Sequence, residues 1–184
     1  MTVAREFNKH PPKSHAMPDL SKLTLINVAR ARDASMPVVL VSMHTNSGEC
    51  RNVAPFYVQL HDRFPRLYFL HISFQPYDEI ISNFANIPEL MQLNVAHDGS
   101  LMFKQFLFLR NTLAIPYMFI FNQNGTIIFE GHPLSKPVEG HLCRLSGQAV
   151  LNNTYRSPMR SVSQLKGTGT KGRAGSPLRS MVFK

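Results

Sequence analysis

Several residue types are scarce in this sequence, and their scarcity limits what the chain is expected to do. Tryptophan is absent from the 184 residues, and only two cysteines occur, Cys50 and Cys143. A secreted protein held together by disulfides usually carries more cysteines, so this count favours a reducing compartment. Every apolar run is shorter than the ~18 residues that a membrane-spanning helix needs. The sequence therefore predicts no membrane span.

Acidic residues are missing from one end of the chain. Residues 1–35 hold six Lys or Arg and three Asp or Glu, residues 36–143 hold six and eight, and residues 144–184 hold eight and none. The net charges of these segments are therefore +3, −2 and +8, which account for the net charge of +9. Such a concentration of positive charge fits either a solvated basic tail or a tail that docks on an acidic surface such as tubulin, nucleic acid or anionic lipid.

Motifs for metal, cofactor or small-molecule chemistry are also lacking. The eight histidines show no metal-ligand spacing such as His-x-x-x-His, and no glycine-rich phosphate loop follows a strand. His71 lies in an apolar run and is predicted to be a satisfied core histidine. His44 and Ser47 are the residue types of a base and a nucleophile, but no third group that would orient them is evident. We therefore expect no metal, no cofactor and no small-molecule substrate.

Strand and helix patterns alternate through the middle of the chain. Residues 37–43 and 67–73 are β-branched or apolar runs typical of buried strands, and residues 50–63 repeat apolar positions at helical spacing. The remaining predicted elements are a helix or loop over 75–93, a connector over 94–100, a helix over 101–113, a hairpin over 117–130 and a helix over 136–151. This order predicts an α/β fold, a three-layer α/β/α sandwich with a mixed central sheet.

The ends of the chain differ in composition from the middle. Residues 1–35 are predicted to form an N-terminal arm, although residues 23–32 fit either a strand or a helix. Residues 36–151 are predicted to form the folded domain. Residues 152–184 are rich in Ser, Gly, Lys and Arg and are predicted to be a basic low-complexity tail.

Three local features resemble the thioredoxin-like superfamily over residues 36–150. Cys50 to Pro55 resembles the segment with the family's resolving cysteine and the Ala-Pro of its first helix. Ile115-Pro116 before a strand is similar to the family's cis-proline. Residues 121–133 resemble its terminal hairpin and glycine exit. The resemblance implies the thioredoxin-like fold for residues 36–151 and a cis peptide bond before Pro116.

The departures from the family pattern bear on function. Ser47 stands where the resemblance places the attacking cysteine, so Cys-x-x-Cys is replaced by Ser-x-x-Cys. A hydroxyl is not ionised at neutral pH and forms no disulfide. Val41 occupies the position of the family's buried acid, and Glu49 beside Cys50 is expected to raise the pKa of that thiol. We therefore predict a degenerate, redox-inactive site at Ser47, Cys50 and Pro116, in a chain that is not an enzyme.

The favoured hypothesis is a structural component of a large assembly. Its partner is expected to be an acidic protein assembly, with tubulin in the axonemal microtubules of a cilium or flagellum favoured over other surfaces. This places the protein in the cytoplasm and cytoskeleton. The residues expected to bind the partner are basic ones in the tail: Arg156, Arg160, Lys166, Lys171, Arg173, Arg179 and Lys184.

Three alternatives remain open at this point. The basic tail is also compatible with a mitochondrial ribosomal or other RNA-associated protein, because phosphate contacts need only positive charge. A monothiol redox enzyme that uses Cys50 is a second alternative. A redox-independent binding module that holds an extended peptide beside Pro116 is the third.

Overall fold

A computed structural model describes residues 16–148, and these residues form a mixed sheet with helices on both faces. The elements, in chain order, are β1 Thr24–Asn27, β2 Val38–Ser42, α1 Gly48–Arg63, β3 Tyr68–Ser73, α2 Tyr77–Phe84, β4 Val95–His97, α3 Met102–Leu109, β5 Tyr117–Phe121, β6 Ile127–Gly131 and α4 Pro137–Ser146. Short 3-10 turns precede β1 and β4. The predicted α/β sandwich with a mixed central sheet is confirmed.

Two hydrophobic clusters cover the two faces of the sheet, because successive strand side chains point in opposite directions. Val39 and Val41 of β2 lie in a cluster with α1 and α4. Val38 and Leu40 face the other way and pack with residues of α3. Each fully buried Leu, Val or Phe in these clusters contributes about 1.5–3 kcal/mol relative to an exposed side chain.

The sheet of the described region runs in the order β1-β4-β3-β2-β5-β6. β2 is parallel to β3, and β3 is parallel to β4. β5 and β6 form the predicted antiparallel hairpin beside β2. The central position of β2 matters for the site, because the loop that leaves its carboxyl end leads directly into α1.

One strand was not predicted, and another was left open between a strand and a helix. Residues 95–97, expected to be a connector, form β4, and residues 24–27, within the expected arm, form β1 at the edge of the sheet. The side chain of Asn27 fastens β1 to the segment before β4, because its Nδ2 donates hydrogen bonds to the carbonyls of Leu90, Met91 and Leu93. Strands of three or four residues carry too little periodicity to be recognised without their partners.

The helix boundaries also differ from the predicted ones. α3 ends at Leu109, and a turn with Asn111 at φ 54° follows it, so the predicted helix over 101–113 is shorter than expected. α4 ends at Ser146, and Gly147 at φ 70° caps it by donating to the carbonyl of Arg144. Glycine suits a left-handed cap of this kind because it has no Cβ.

Candidate functional site

Ser47 begins α1 and acts as its N-cap. Its backbone is extended at φ −76° and ψ 121°, and its Oγ accepts a hydrogen bond from the backbone N–H of Cys50 at 3.3 Å. The first N–H groups of a helix have no partner within the helix, and a serine hydroxyl satisfies one of them. Ser47, at the position where the family has its attacking cysteine, therefore stabilises the start of α1 as its N-cap.

Cys50 lies in the first turn of α1 and is only 6% exposed. Burial raises the pKa of its thiol, and the negative charge of Glu49 acts in the same direction. Hydrogen bonds involving the backbone of His44 and the hydroxyl of Ser47 oppose this shift in part, but the pKa of Cys50 remains raised. The thiol is therefore predominantly protonated at neutral pH.

Pro116 lies at the same end of the sheet as the loop before α1. The Ile115-Pro116 peptide bond is cis, as the resemblance implied. Ser42, the last residue of β2, binds this segment: its Oγ donates to the carbonyl of Ala114 at 3.0 Å and accepts from the N–H of Tyr117 at 2.9 Å. The end of β2 thus ties the proline loop to the strand that leads to Ser47.

A hydrogen bond that the sequence did not predict links α1 to the loop after β6. Nε2 of His132 lies 3.0 Å from Oε1 of Glu49, although the residues are 83 positions apart. The N–H of Leu134 donates to Nδ1 of His132 at 3.2 Å, so Nδ1 is an acceptor and the proton is on Nε2. The carboxylate of Glu49 therefore accepts a hydrogen bond from the Nε2–H of His132.

A small cavity adjoins Cys50 on the side of α1 that faces the sheet. It measures about 10 Å³, and its lining includes Cys50, Tyr57 and His71. His44 and Arg51 also line it, and both are accessible to solvent in part, so the cavity reaches the surface at this rim. This cavity is a feature of tertiary packing that no local motif indicated.

His71 is buried as predicted, but only one of its ring nitrogens has a partner. Nδ1 lies 3.3 Å from the carbonyl oxygen of Asn94, whereas Nε2 has no hydrogen-bond partner among the described residues. Burial lowers the pKa of His71 to about 3, and the nearby His61 adds to this effect. The prediction of a satisfied core histidine is therefore only half right.

The pairing of His44 and Ser47 as base and nucleophile, for which the sequence offered no orienting third group, receives no geometric support. The contact between them that the structure shows joins the N–H of Ser47 to the backbone carbonyl of His44 at 3.0 Å. The hydroxyl of Ser47 is engaged with Cys50 as the helix cap. The two residues lie in the loop before α1, and the hydrogen bond between them joins backbone atoms and does not involve the imidazole of His44.

The predicted binding residues of the tail lie outside the described residues 16–148. They are Arg156, Arg160, Lys166, Lys171, Arg173, Arg179 and Lys184. Within residues 16–148, no group of three His, Cys, Asp or Glu side chains is arranged to hold a metal ion. In that same part of the chain, no helix combines the length and the apolar character needed to cross a membrane.

Comparison with known proteins identifies the fold. No protein-family model and no curated protein matches this chain. Among solved structures, a thioredoxin-like protein in its oxidised form is similar with a TM-score of 0.55 and 11% identity, over 74% of this chain and 98% of that one. A thiol:disulfide interchange protein from Bacteroides sp. is similar with a TM-score of 0.55 and 10% identity, over 80% of this chain and 99% of that one.

A third solved structure points to the same fold. A putative thiol:disulfide interchange protein DsbE from Chlorobium tepidum is similar with a TM-score of 0.51 and 17% identity, over 61% of this chain and 81% of that one. This chain therefore has the thioredoxin-like fold that the resemblance implied. At such low identity the likeness establishes the fold alone.

The comparisons correct one prediction, that the chain is not an enzyme. That prediction is wrong against these findings, because two of the similar structures are described as thiol:disulfide interchange proteins. It was drawn from Ser47 at the attacking position, whereas Cys50 still places a thiol in the first turn of α1.

Proposed function

We propose that this chain is a thioredoxin-fold component of a large assembly that docks through its basic C-terminal segment on an acidic partner. The observation that carries the proposal is the charge distribution: residues 144–184 hold eight Lys or Arg and no acid. A segment of one sign attracts a surface of the opposite sign over a distance of about one Debye length, ~8 Å at physiological salt. We favour the acidic microtubule lattice of a cilium or flagellum as that surface.

The charge of the folded domain bears on which part of the chain would dock. α4 ends at Ser146 with a glycine cap, and the predicted basic tail begins at residue 152 of the sequence. The domain itself is close to neutral, since residues 36–143 have a net charge of −2. Electrostatic attraction to an acidic partner is therefore expected to depend on the tail.

Co-sedimentation with microtubules tests this proposal. The full chain is compared with a variant that lacks residues 152–184 and with one in which seven basic residues become Gln: Arg156, Arg160, Lys166, Lys171, Arg173, Arg179 and Lys184. A matched control changes seven hydroxyl residues of the same segment to Ala: Ser157, Ser161, Ser163, Thr168, Thr170, Ser176 and Ser180. We expect the full chain and the control to sediment, and the other two variants to remain in the supernatant.

Binding to single-stranded RNA, measured with the same four proteins, separates the microtubule from the RNA alternative. If seven cations each contact a phosphate, the logarithm of the RNA affinity falls with the logarithm of the salt concentration with a slope of about −5. Such a slope, without microtubule binding, would replace the favoured partner with RNA. Equal binding by the Gln variant and the full chain would show that the tail does not dock.

A second candidate function is thiol-disulfide exchange by Cys50 alone. It is favoured by the position of this thiol in the first turn of α1 and by the similarity to thiol:disulfide interchange proteins. In this reaction the Cys50 thiolate attacks a substrate disulfide, forms a mixed disulfide and releases one substrate thiol, and an added small thiol then regenerates Cys50. Reduction of insulin that Cys50→Ser abolishes and Cys143→Ser preserves would establish it.

A further inference from the structure

The outer face of α3 and the turn after it present large apolar side chains to solvent. Phe108 is 69% exposed, Leu113 is 55% exposed and Leu109 is 49% exposed. On the opposite face of the same helix, Phe103 and Leu107 are fully buried against the sheet. A single exposed apolar residue is ordinary, but several on one face indicate a contact surface. We call Phe108, Leu109 and Leu113 the α3 patch.

The chain enters the described region on the same side of the sheet as α3. Met17 and Leu20 pack against the hydrophobic cluster that also contains Phe106 and Leu107 of α3. The residues that precede Met17 in the sequence therefore start from a position close to this helix.

The first described residues also set the direction from which the preceding chain arrives. Ala16 forms an antiparallel bridge with Thr126, and the N–H of Met17 donates to the carbonyl of Gly125 at 2.9 Å. Thr126 lies immediately before β6, which is the edge strand of the described sheet. Paired residues run in opposite directions in an antiparallel ladder, so a continuation of this pairing runs along β6 towards Gly131.

The end of α3 lies beside the far part of β6. Nε of Arg110, the residue after α3, donates to Oε2 of Glu130 at 2.6 Å. A chain that runs from Ala16 along β6 reaches the level of Glu130 at about residue 12. Pro11 and Pro12 have no N–H with which to extend a ladder, so pairing with β6 is expected to end there, next to α3.

The segment before the two prolines has apolar residues that suit the α3 patch. Val3 and Phe7 are four residues apart, the spacing that places two side chains on one face of a helix. Phe7 is also four residues from Pro11, a separation that spans about 13 Å in extended chain. A helix with its side chains is about 10 Å across, so Phe7 can reach the outer face of α3 from the end of β6.

We propose that residues 1–10 of this chain dock on the α3 patch. Phe7 packs against Phe108 and Leu109, and the apolar surface that is removed from water favours the contact. The short connection to Ala16 holds the segment at an effective concentration in the millimolar range, so it occupies the patch ahead of a second copy of the chain at micromolar concentration. The inference goes beyond the docking function of the basic tail and does not depend on it.

Photo-cross-linking of the full chain tests the contact directly. Phe7 is replaced by p-benzoylphenylalanine, which keeps an aromatic ring at this position, and an equal mixture of unlabelled and heavy-isotope-labelled chains is irradiated. Peptide mass spectrometry locates each cross-link, and the isotope pattern separates links within one chain from links between two. We expect links within one chain to the peptide that contains Phe108 and Leu109. Links between two chains, links to other peptides, or no link would each overturn the proposal.

Hydroxyl-radical footprinting measures whether the arm covers the patch. Phe7→Ser removes the aromatic ring, and Asn8→Ser is the matched control at the next position; both changes lie outside the described fold. We expect oxidation of Phe108 to rise about threefold in Phe7→Ser, because an aromatic side chain covers a large area of a residue that is 69% exposed without it. The control should match the parent chain, and Met91, which is 59% exposed and near β1 at the opposite edge of the sheet, normalises the radical dose. Equal oxidation of Phe108 in Phe7→Ser and the parent chain would contradict the proposal.

Discussion

Replacement of Ser47 by Ala tests whether the residue at the predicted nucleophile position is a helix cap. The change removes the hydroxyl that accepts the N–H of Cys50 at 3.3 Å. Loss of a serine N-cap typically costs about 0.5–2 kcal/mol. Because this hydrogen bond is long and Ser47 is half-buried, water can replace part of it, so we expect a decrease of about 1 kcal/mol in the free energy of unfolding.

The same change should alter the reactivity of Cys50. Without its cap the first turn of α1 opens more readily, and a loss of about 1 kcal/mol confined to that turn raises the open population about fivefold. Alkylation of Cys50 that proceeds through this opening should accelerate by the same factor. Urea unfolding followed by circular dichroism measures the stability, and peptide mass spectrometry measures the alkylation rate.

A control on α2 sharpens the result. Ser82 is also a helical serine, but its Oγ donates to the carbonyl of Glu79 and it caps nothing. Ser82→Ala is therefore expected to change the free energy of unfolding by less than about 0.5 kcal/mol. If Ser47→Ala were as stable as the parent chain and its Cys50 no more reactive, the assignment of Ser47 as a cap would be refuted.

Three further predictions concern buried polar groups. Arg110 is nearly buried and pairs with the more accessible Glu130. Glu130→Leu removes the carboxylate from a buried charge, so it should lower the free energy of unfolding by about 3 kcal/mol, and Arg110→Met should lower it by less. Urea unfolding measures both losses, and equal losses would contradict this prediction. Burial lowers the pKa of His61 to about 4 and of His71 to about 3, so below pH ~6.5 the unfolded chain binds more protons than the folded chain. The midpoint of urea unfolding should therefore be lower at pH 4.5 than at pH 7. A midpoint that does not change with pH would contradict this prediction. Asn27→Ala removes the Nδ2 donor from the carbonyls of Leu90, Met91 and Leu93, of which the carbonyl of Leu90 still accepts from the N–H of Leu93. The free energy of unfolding in urea should fall by about 2 kcal/mol, and detachment of β1 should be visible as faster amide exchange.

The sequence by itself was sufficient for the central elements of the fold. β2, β3 and β5 are apolar runs buried on both faces, and such runs identify strands without knowledge of their neighbours. The Asn-Gly turn identified the hairpin between β5 and β6. β4 was not predicted and β1 was left open between a strand and a helix, because their three or four residues are held by long-range partners, among them the side chain of Asn27.

The candidate site, too, was predicted from the sequence only in part. The sequence identified Ser47, Cys50 and Pro116, because the resemblance rests on local motifs in which these residues occur. Only the tertiary structure placed His71 and Tyr57, each with a buried polar atom that lacks a partner within residues 16–148, in the lining of one cavity with Cys50. Burial and hydrogen-bond satisfaction depend on residues far apart in the chain, so a local pattern specifies which side chains are present but not which of their atoms remain without partners.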